Sequence, residues 1–275
     1  MGAEIEKRNG VRSHIQIPKF VIKNFTDPQG KVYYYDFQKG YIRHGYPKSI
    51  NTECGYYSPE MEKALCQLVE SRFSKVLRKT EKISKGEPIA FTPEEQDTAF
   101  LYFYSLVARG TTVAKIILSN CITSCLLDNQ GFHDFTVESV IHALCANNFF
   151  ADAVVTVGLN TTSVPFVLPG SGYYASNGAV IMPLTPYFAI LLVYEKQERF
   201  WDGKQCLVAL FDTPDTIRNA NIRAFSIELE NRRFVAANMR EQLEEIMCRL
   251  HIRDNDECAI KGVAMKIQKS RKIRL

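Results

Sequence analysis

Three stretches of the chain carry the apolar spacing of helices, and each begins with a hydroxyl residue followed by proline. Behind Ser58-Pro59, the residues Met61, Leu65, Leu68, Val69, Phe73, Val76 and Leu77 recur at three- and four-residue intervals. This predicts an amphipathic helix with serine as N-cap and proline in the first turn, where its missing N–H costs nothing. Thr92-Pro93-Glu94-Glu95 has the form of a capping box and leads through Phe100, Phe103, Tyr104 and Val107. It predicts a long helix running on to Leu127. Thr213-Pro214-Asp215 opens the third stretch, whose apolar positions from Ile217 to Leu250 predict one long or two consecutive helices.

Elsewhere the period changes. Lys31 to Phe37, bounded by Gly30 and Gly40, is a β-rich aromatic run after the turn Asp27-Pro28-Gln29-Gly30, which predicts a strand. Short aliphatic runs at 154–157, 165–168, 180–184 and 188–194 are separated by Gly, Pro, Asn and Ser and predict a small sheet. The expected fold is therefore α+β: mainly helical, with long helices flanking a small central mixed or antiparallel sheet. Residues 1–260 are expected to form a single domain and 261–275 a basic C-terminal tail.

The 275 residues are 46% hydrophobic and 23% charged, which excludes a collagen-like or wholly disordered chain. A formal charge of +4 looks uninformative until it is divided along the chain: +6 over residues 1–90, −5 over 91–200, −3 over 201–260 and +6 over 261–275. The charged start has no apolar run behind it, so a cytoplasmic protein without signal or transit peptide is expected. Arg109, Gly110 and Lys115 interrupt the most apolar stretch, so no membrane association is expected. The eight cysteines form no Cys-x-x-Cys pair and are expected to be reduced, packed thiols. No residue set asks for a metal or cofactor.

Several residues carry candidate chemistry. His14 has a side chain that titrates near neutrality and is a candidate base. Arg109 places a permanent charge in an apolar stretch and needs either a carboxylate, from Glu70 or Asp97, or an anionic ligand. Leu168-Pro169-Gly170-Ser171-Gly172-Tyr173 fails as a phosphate loop or nucleophile elbow and is expected to be a turn. His133-Asp134 and His142 lack metalloprotease spacing and suggest capping or solvated roles around a helix start at Thr136. In the tail, Lys266, Lys269, Arg271, Lys272 and Arg274 could neutralise phosphates.

The stretch from His14 through Pro18, Phe20, Ile22 and Phe25 resembles the opening motif of domain-of-unknown-function family 4238, with one extra residue between His14 and Pro18. Gly30 to Asp36, Tyr57, Glu70 and Arg109 are similar to further family features, and the resemblance spans about residues 12–240. Pro183-Leu184-Thr185-Pro186 and Asn219 or Asn221 also fit. Arg109-Gly110-Thr111 replaces the family's Arg-x-Pro, and Pro169-Gly170-Ser171-Gly172 replaces its Ser-Asp-Asn-Pro, without the carboxylate. The resemblance implies a shared fold; the family has no assigned activity. If that Asp belongs to an active centre, the resemblance implies an altered or inactive member.

These readings converge on a polar pocket of His14, Tyr57, Glu70, Arg109 and Asn221. The leading expectation is a protein that binds or acts on nucleic acid or a phosphorylated ligand, with Tyr57, Arg109 and Asn221 as ligand contacts. One alternative is a hydrolase or toxin-like effector using His14, Glu70 and Arg109. Another is an interaction module whose basic tail docks an acidic partner.

Overall fold

The computed structural model describes residues 12–80, 82, 91–110, 129–147, 153–176, 178–193 and 208–252. The helix behind Ser58 is continuous from Pro59 to Thr80 but not uniform. It runs as α2 (Pro59–Ala64), a π-helical segment (Leu65–Glu70) and α3 (Ser71–Thr80); α1 (Lys19–Lys23) precedes it. Ser58 accepts from the Met61 N–H as N-cap. The capping box at Thr92 is complete, with the Thr92 side chain accepting from the Glu95 N–H and the Glu95 carboxylate accepting from the Thr92 N–H. The helix it starts, α4 (Pro93–Ala108), ends with Arg109 as C-cap rather than continuing past it. Residues 111–128, over which a continuation to Leu127 was expected, lie outside the described residues. A further helix, α5 (Asn129–Ala146), begins well before Thr136.

The α+β class holds, but the sheet content is larger than one small central sheet. Strands β1 (Arg12–His14) and β4 (Thr52–Cys54) make an antiparallel ribbon. Strands β5 (Val154–Asn160), β7 (Tyr174–Ser176), β8 (Ala179–Thr185), β9 (Phe188–Val193) and β10 (Val208–Phe211) form a five-stranded sheet in the order β10-β5-β9-β8-β7. Only the β10–β5 pair is parallel. A four-stranded antiparallel sheet has the order β3-β2-β11-β6, from β2 (Val32–Asp36), β3 (Tyr41–Gly45), β6 (Leu168–Pro169) and β11 (Phe234–Ala237).

Strand β11 corrects the C-terminal expectation. The apolar run from 217 to 250 is two helices, α6 (Pro214–Asn231) and α7 (Arg240–Arg249), separated by a strand that pairs with β2 and β6. Phe234 to Ala237 is buried at every position, and a short, fully apolar run has no period that distinguishes strand from helix.

Both large sheets are covered on both faces, and the alternation of side chains along a strand divides them between two cores. Val180, Met182, Leu184, Ile190 and Leu192 face one core with Val32, Tyr34, Phe234 and Ala236, where α3 and α4 contribute Phe73, Val76, Tyr102 and Leu106. Ile181, Ala189 and Leu191 face the other with Tyr35, Val235 and Ala237, where α6 and α7 contribute Ile217, Phe225, Leu229, Leu243 and Ile246. Double burial explains why β8 and β9 read as continuous apolar runs. Pro183, which cannot donate to a ladder, sits where the β8–β9 register shifts.

No helix among the described residues is long and apolar enough to cross a membrane. Cys54, Cys66, Cys145 and Cys248 are free thiols as expected, but exposed rather than packed. Cys121, Cys125, Cys206 and Cys258 lie outside the described residues.

Replacing Thr92 with Ala removes one arm of the capping box while leaving the exposed first turn otherwise intact. A loss of about 1 kcal/mol is expected, read as a lower urea midpoint at unchanged slope; an unchanged midpoint would show that the cap contributes nothing.

Candidate functional site

The site is built around Arg109. Its side chain is 2% exposed, and Nη2 donates to Glu70 Oε1 at 2.8 Å while Nη1 donates to the Gln16 carbonyl at 3.2 Å. Asp97, the other carboxylate considered, is exposed on α4. Glu70 is the last residue of the π-helical segment. One such segment widens the turn and changes which side chains face inward beyond it, and π-bulges are frequent at functional sites.

Tyr57 adds a second clamp on the same strip of backbone: its hydroxyl donates to the Ile15 carbonyl at 3.0 Å. Ile15 N–H in turn donates to the Asn51 carbonyl at 3.0 Å. Burial pushes the Tyr57 and Tyr102 hydroxyls far above the usual phenol range, with the nearby Arg109 charge opposing; both stay neutral. The pKa of His14 is depressed by burial to about 4, with Glu70 opposing and Lys19 and Arg109 adding to the depression. Its imidazole is therefore uncharged at neutral pH, and Nδ1 is buried without a hydrogen-bond partner among the described residues. Such a nitrogen can accept a proton or a hydrogen bond.

Arg109 pairs with Glu70, and Tyr57 and the His14 ring lie close to the Arg109 charge. The cleft beside them, about 570 Å³, is bordered by Ile15 and Gln16 and by none of those four. Asn221 is not part of the group. Its side chain accepts from Val167 N–H at 3.0 Å and donates to the Pro165 carbonyl at 2.8 Å, bracing the chain just before β6. The tail residues Lys266, Lys269, Arg271, Lys272 and Arg274 lie outside the described residues.

Gln16 joins the buried cluster to the cleft. While its carbonyl holds Arg109, its amide oxygen accepts from Arg233 Nε at 3.0 Å and its amide nitrogen donates to the Gly170 carbonyl at 2.8 Å; this amide orientation is the one that satisfies both partners. Arg232, Arg233 and Arg43 border the cleft against Asp36 and Glu53, and Asp36 is committed to Arg43 at 3.2 Å. Arg232 and Arg233 form no ion pair among the described residues. Arg232 takes a left-handed conformation, φ 52°, at the C-cap of α6, an uncommon choice for a non-glycine residue.

The turn at Pro169–Gly172 lacks a carboxylate of its own, yet α6 brings one. Glu228 is fully buried and accepts from the Ser171 N–H at 2.9 Å. The Ser171 hydroxyl lies within bonding distance of both Glu228 and the Tyr173 carbonyl and has one proton to give. Burial raises the Glu228 pKa, with Arg233 and the Ser171 bonds opposing, and Glu228 Oε2 is buried without a hydrogen-bond partner among the described residues.

Sequence reasoning missed Gln16, Arg233 and Glu228. Glu228 follows the polar spacing of an ordinary helix, and Arg233 belongs to no motif; the tertiary fold brings Arg233 to Gln16 and Glu228 to Ser171. His133 and Asp134 lie within α5 rather than flanking a helix start at Thr136, and His133 is packed rather than solvated. His133 stacks on Tyr56 with centroids 3.8 Å apart, and Asp134 accepts from the Ser58 N–H at 3.1 Å.

The family model described as "Protein of unknown function (DUF4238)" matches residues 14–142, a little under half of the chain. The match includes His14, Tyr57, Glu70 and Arg109 and stops short of the similarities at 169–172, 183–186 and Asn221. Neither a curated protein nor a solved structure matches the chain.

Two predictions follow from the cluster. Glu70→Ala leaves a buried guanidinium without its carboxylate and is expected to cost about 3 kcal/mol. The companion Glu70→Ala/Arg109→Met should cost less than Glu70→Ala alone, and a larger cost would show that the pair itself is not what the fold requires. For His14, the unfolded chain binds a proton below about 6.5 and the folded protein only near 4. Stability is therefore expected to be flat above pH 6.5 and to fall as pH drops toward 4. Comparing denaturation midpoints at pH 7 and 4.5, His14→Gln should lose roughly 2 kcal/mol less than the wild type; equal losses would contradict a neutral, buried imidazole.

Proposed function

We propose that the protein binds a phosphorylated ligand in the cleft at Gln16 and Arg233. The observation that carries this reading is the guanidinium of Arg233, held through Nε by the Gln16 amide beside Arg232. A guanidinium fixed at Nε offers its remaining N–H groups as a pre-oriented fork, the geometry suited to phosphate oxygens. The volume of about 570 Å³ suits a small molecule. Under this reading Arg109 is not a ligand contact. Together with Glu70 and Tyr57 it fixes the backbone of residues 15–16, from which Gln16 reaches Arg233.

The test is calorimetric titration with inorganic pyrophosphate at low salt. Wild type should bind, and Arg233→Ala and Arg232→Gly should each weaken binding by about tenfold or more, equivalent to about 1.4 kcal/mol. Arg232→Gly removes a charge while relieving the left-handed backbone, so its folded stability should not fall. No binding by wild type would sink the proposal. Parallel titrations with single-stranded RNA and duplex DNA, with and without residues 261–275, separate this cleft from the tail. Binding that depends only on the tail would move the function to nucleic acid. Phosphomonoester turnover abolished by His14→Gln would favour the hydrolase reading, which the uncharged His14 beside Glu70 supports.

A further inference from the structure

Besides Arg232 and Arg233, the cleft has a border of neutral hydrogen-bonding side chains next to Glu53. Asn51 and Thr52 form part of it, just before and within β4. Asn51 Nδ2 and Thr52 Oγ1 are buried and have no hydrogen-bond partner among the described residues. An unsatisfied buried donor or hydroxyl costs on the order of 1–3 kcal/mol, so each calls for a partner in the liganded or hydrated protein. Asn51 is itself in the left-handed region, φ 51°, as is Arg232 at φ 52°. Two of the three non-glycine residues with positive φ among the described residues thus border one cleft, and such conformations cluster at ligand sites. The carbonyl of Asn51 accepts from Ile15 N–H, which ties this edge to the same strip that positions Arg233.

The aromatic rings at the cleft are already engaged. Tyr34 has the Arg43 guanidinium 5.5 Å above its ring and the edge of Phe234 against it. Tyr56 has His133 stacked on it at 3.8 Å and stands edge-on to Tyr57. A nucleobase, which gains its binding energy largely by stacking, finds its usual platforms occupied. A ligand hydroxyl both donates and accepts, and so matches an amide N–H and a threonine hydroxyl together.

We infer that the ligand is a phosphorylated polyol, a sugar phosphate without an aromatic base, with its phosphate on Arg232 and Arg233 and its hydroxyls on Asn51 and Thr52. This rests on the reading of the cleft as a phosphate site. The two are separated by titrating wild type with inorganic phosphate, ribose 5-phosphate and adenosine monophosphate. Ribose 5-phosphate should bind about tenfold more tightly than phosphate, and adenosine monophosphate within about threefold of ribose 5-phosphate. In Asn51→Gly/Thr52→Val, which keeps the left-handed backbone and the side-chain shape at 52, ribose 5-phosphate should fall to the affinity of phosphate while phosphate itself is unchanged. Saturation transfer from wild-type protein to the ribose protons supplies a readout that does not depend on the variant folding. Equal affinity for phosphate and ribose 5-phosphate would overturn the sugar assignment and leave the phosphate site standing. Tenfold tighter adenosine monophosphate would replace it with a nucleotide. Absence of binding by all three would remove both.

Discussion

A guanidinium that cannot lose its proton and is almost completely enclosed must be given a carboxylate and carbonyls, and in this protein the requirement of Arg109 organises the surrounding chain. Glu70 supplies the carboxylate, and the π-helical turn that ends at Glu70 is the local departure from α-helix that accompanies its delivery. The carbonyl of Gln16 supplies the second acceptor. Because Tyr57 holds the neighbouring carbonyl, residues 15–16 are gripped at consecutive positions on one side. A buried pair of this kind is a weak source of net stability, since desolvation offsets most of the attraction. Its effect is to make one backbone arrangement far better than its alternatives.

That arrangement matters because residues 15–16 border the cleft and carry the consequence across to it. The amide of Gln16 meets Arg233 and the Gly170 carbonyl, so the buried ion pair, the turn at Pro169–Gly172 and the C-terminal end of α6 are connected through one side chain. Glu228, fully enclosed, accepts from Ser171 and braces the same turn. Polar networks in a low-dielectric interior hold position well when every member is satisfied. The open polar groups then stand out: Asn51 Nδ2 and Thr52 Oγ1 on residues that border the cleft, His14 Nδ1 and Arg109 Nε within the cluster, and Glu228 Oε2 at the turn.

The two-core architecture sets where this network can lie. Sheets buried on both faces separate the α3–α4 side from the α6–α7 side. Polar side chains inside such layers must find partners at strand ends and turns, where backbone groups are left over from the ladders. Asn221 does this for the chain at 165–167 on one side, and Arg109 does it for residues 15–16 on the other. The two were expected to line one pocket; their partners give them separate duties.

The sequence by itself determined the local elements whose signals lie within a few residues. The Ser58 and Thr92 caps, the aromatic strand after Gly30, and the need of the Arg109 charge for a partner all rest on short-range spacing or on the cost of burying a charge. The family resemblance placed His14, Tyr57, Glu70 and Arg109 in one group with Asn221, which the structure sets apart. Tertiary structure decided the rest. Phe234 to Ala237 becomes a strand only because β2, about two hundred residues earlier, offers it a ladder. Arg233 and Gln16 become a site only when that ladder brings them together. The sheets outgrew their expected size for the same reason: strand pairing joins distant segments, and no local pattern records which segment a fully buried run will meet.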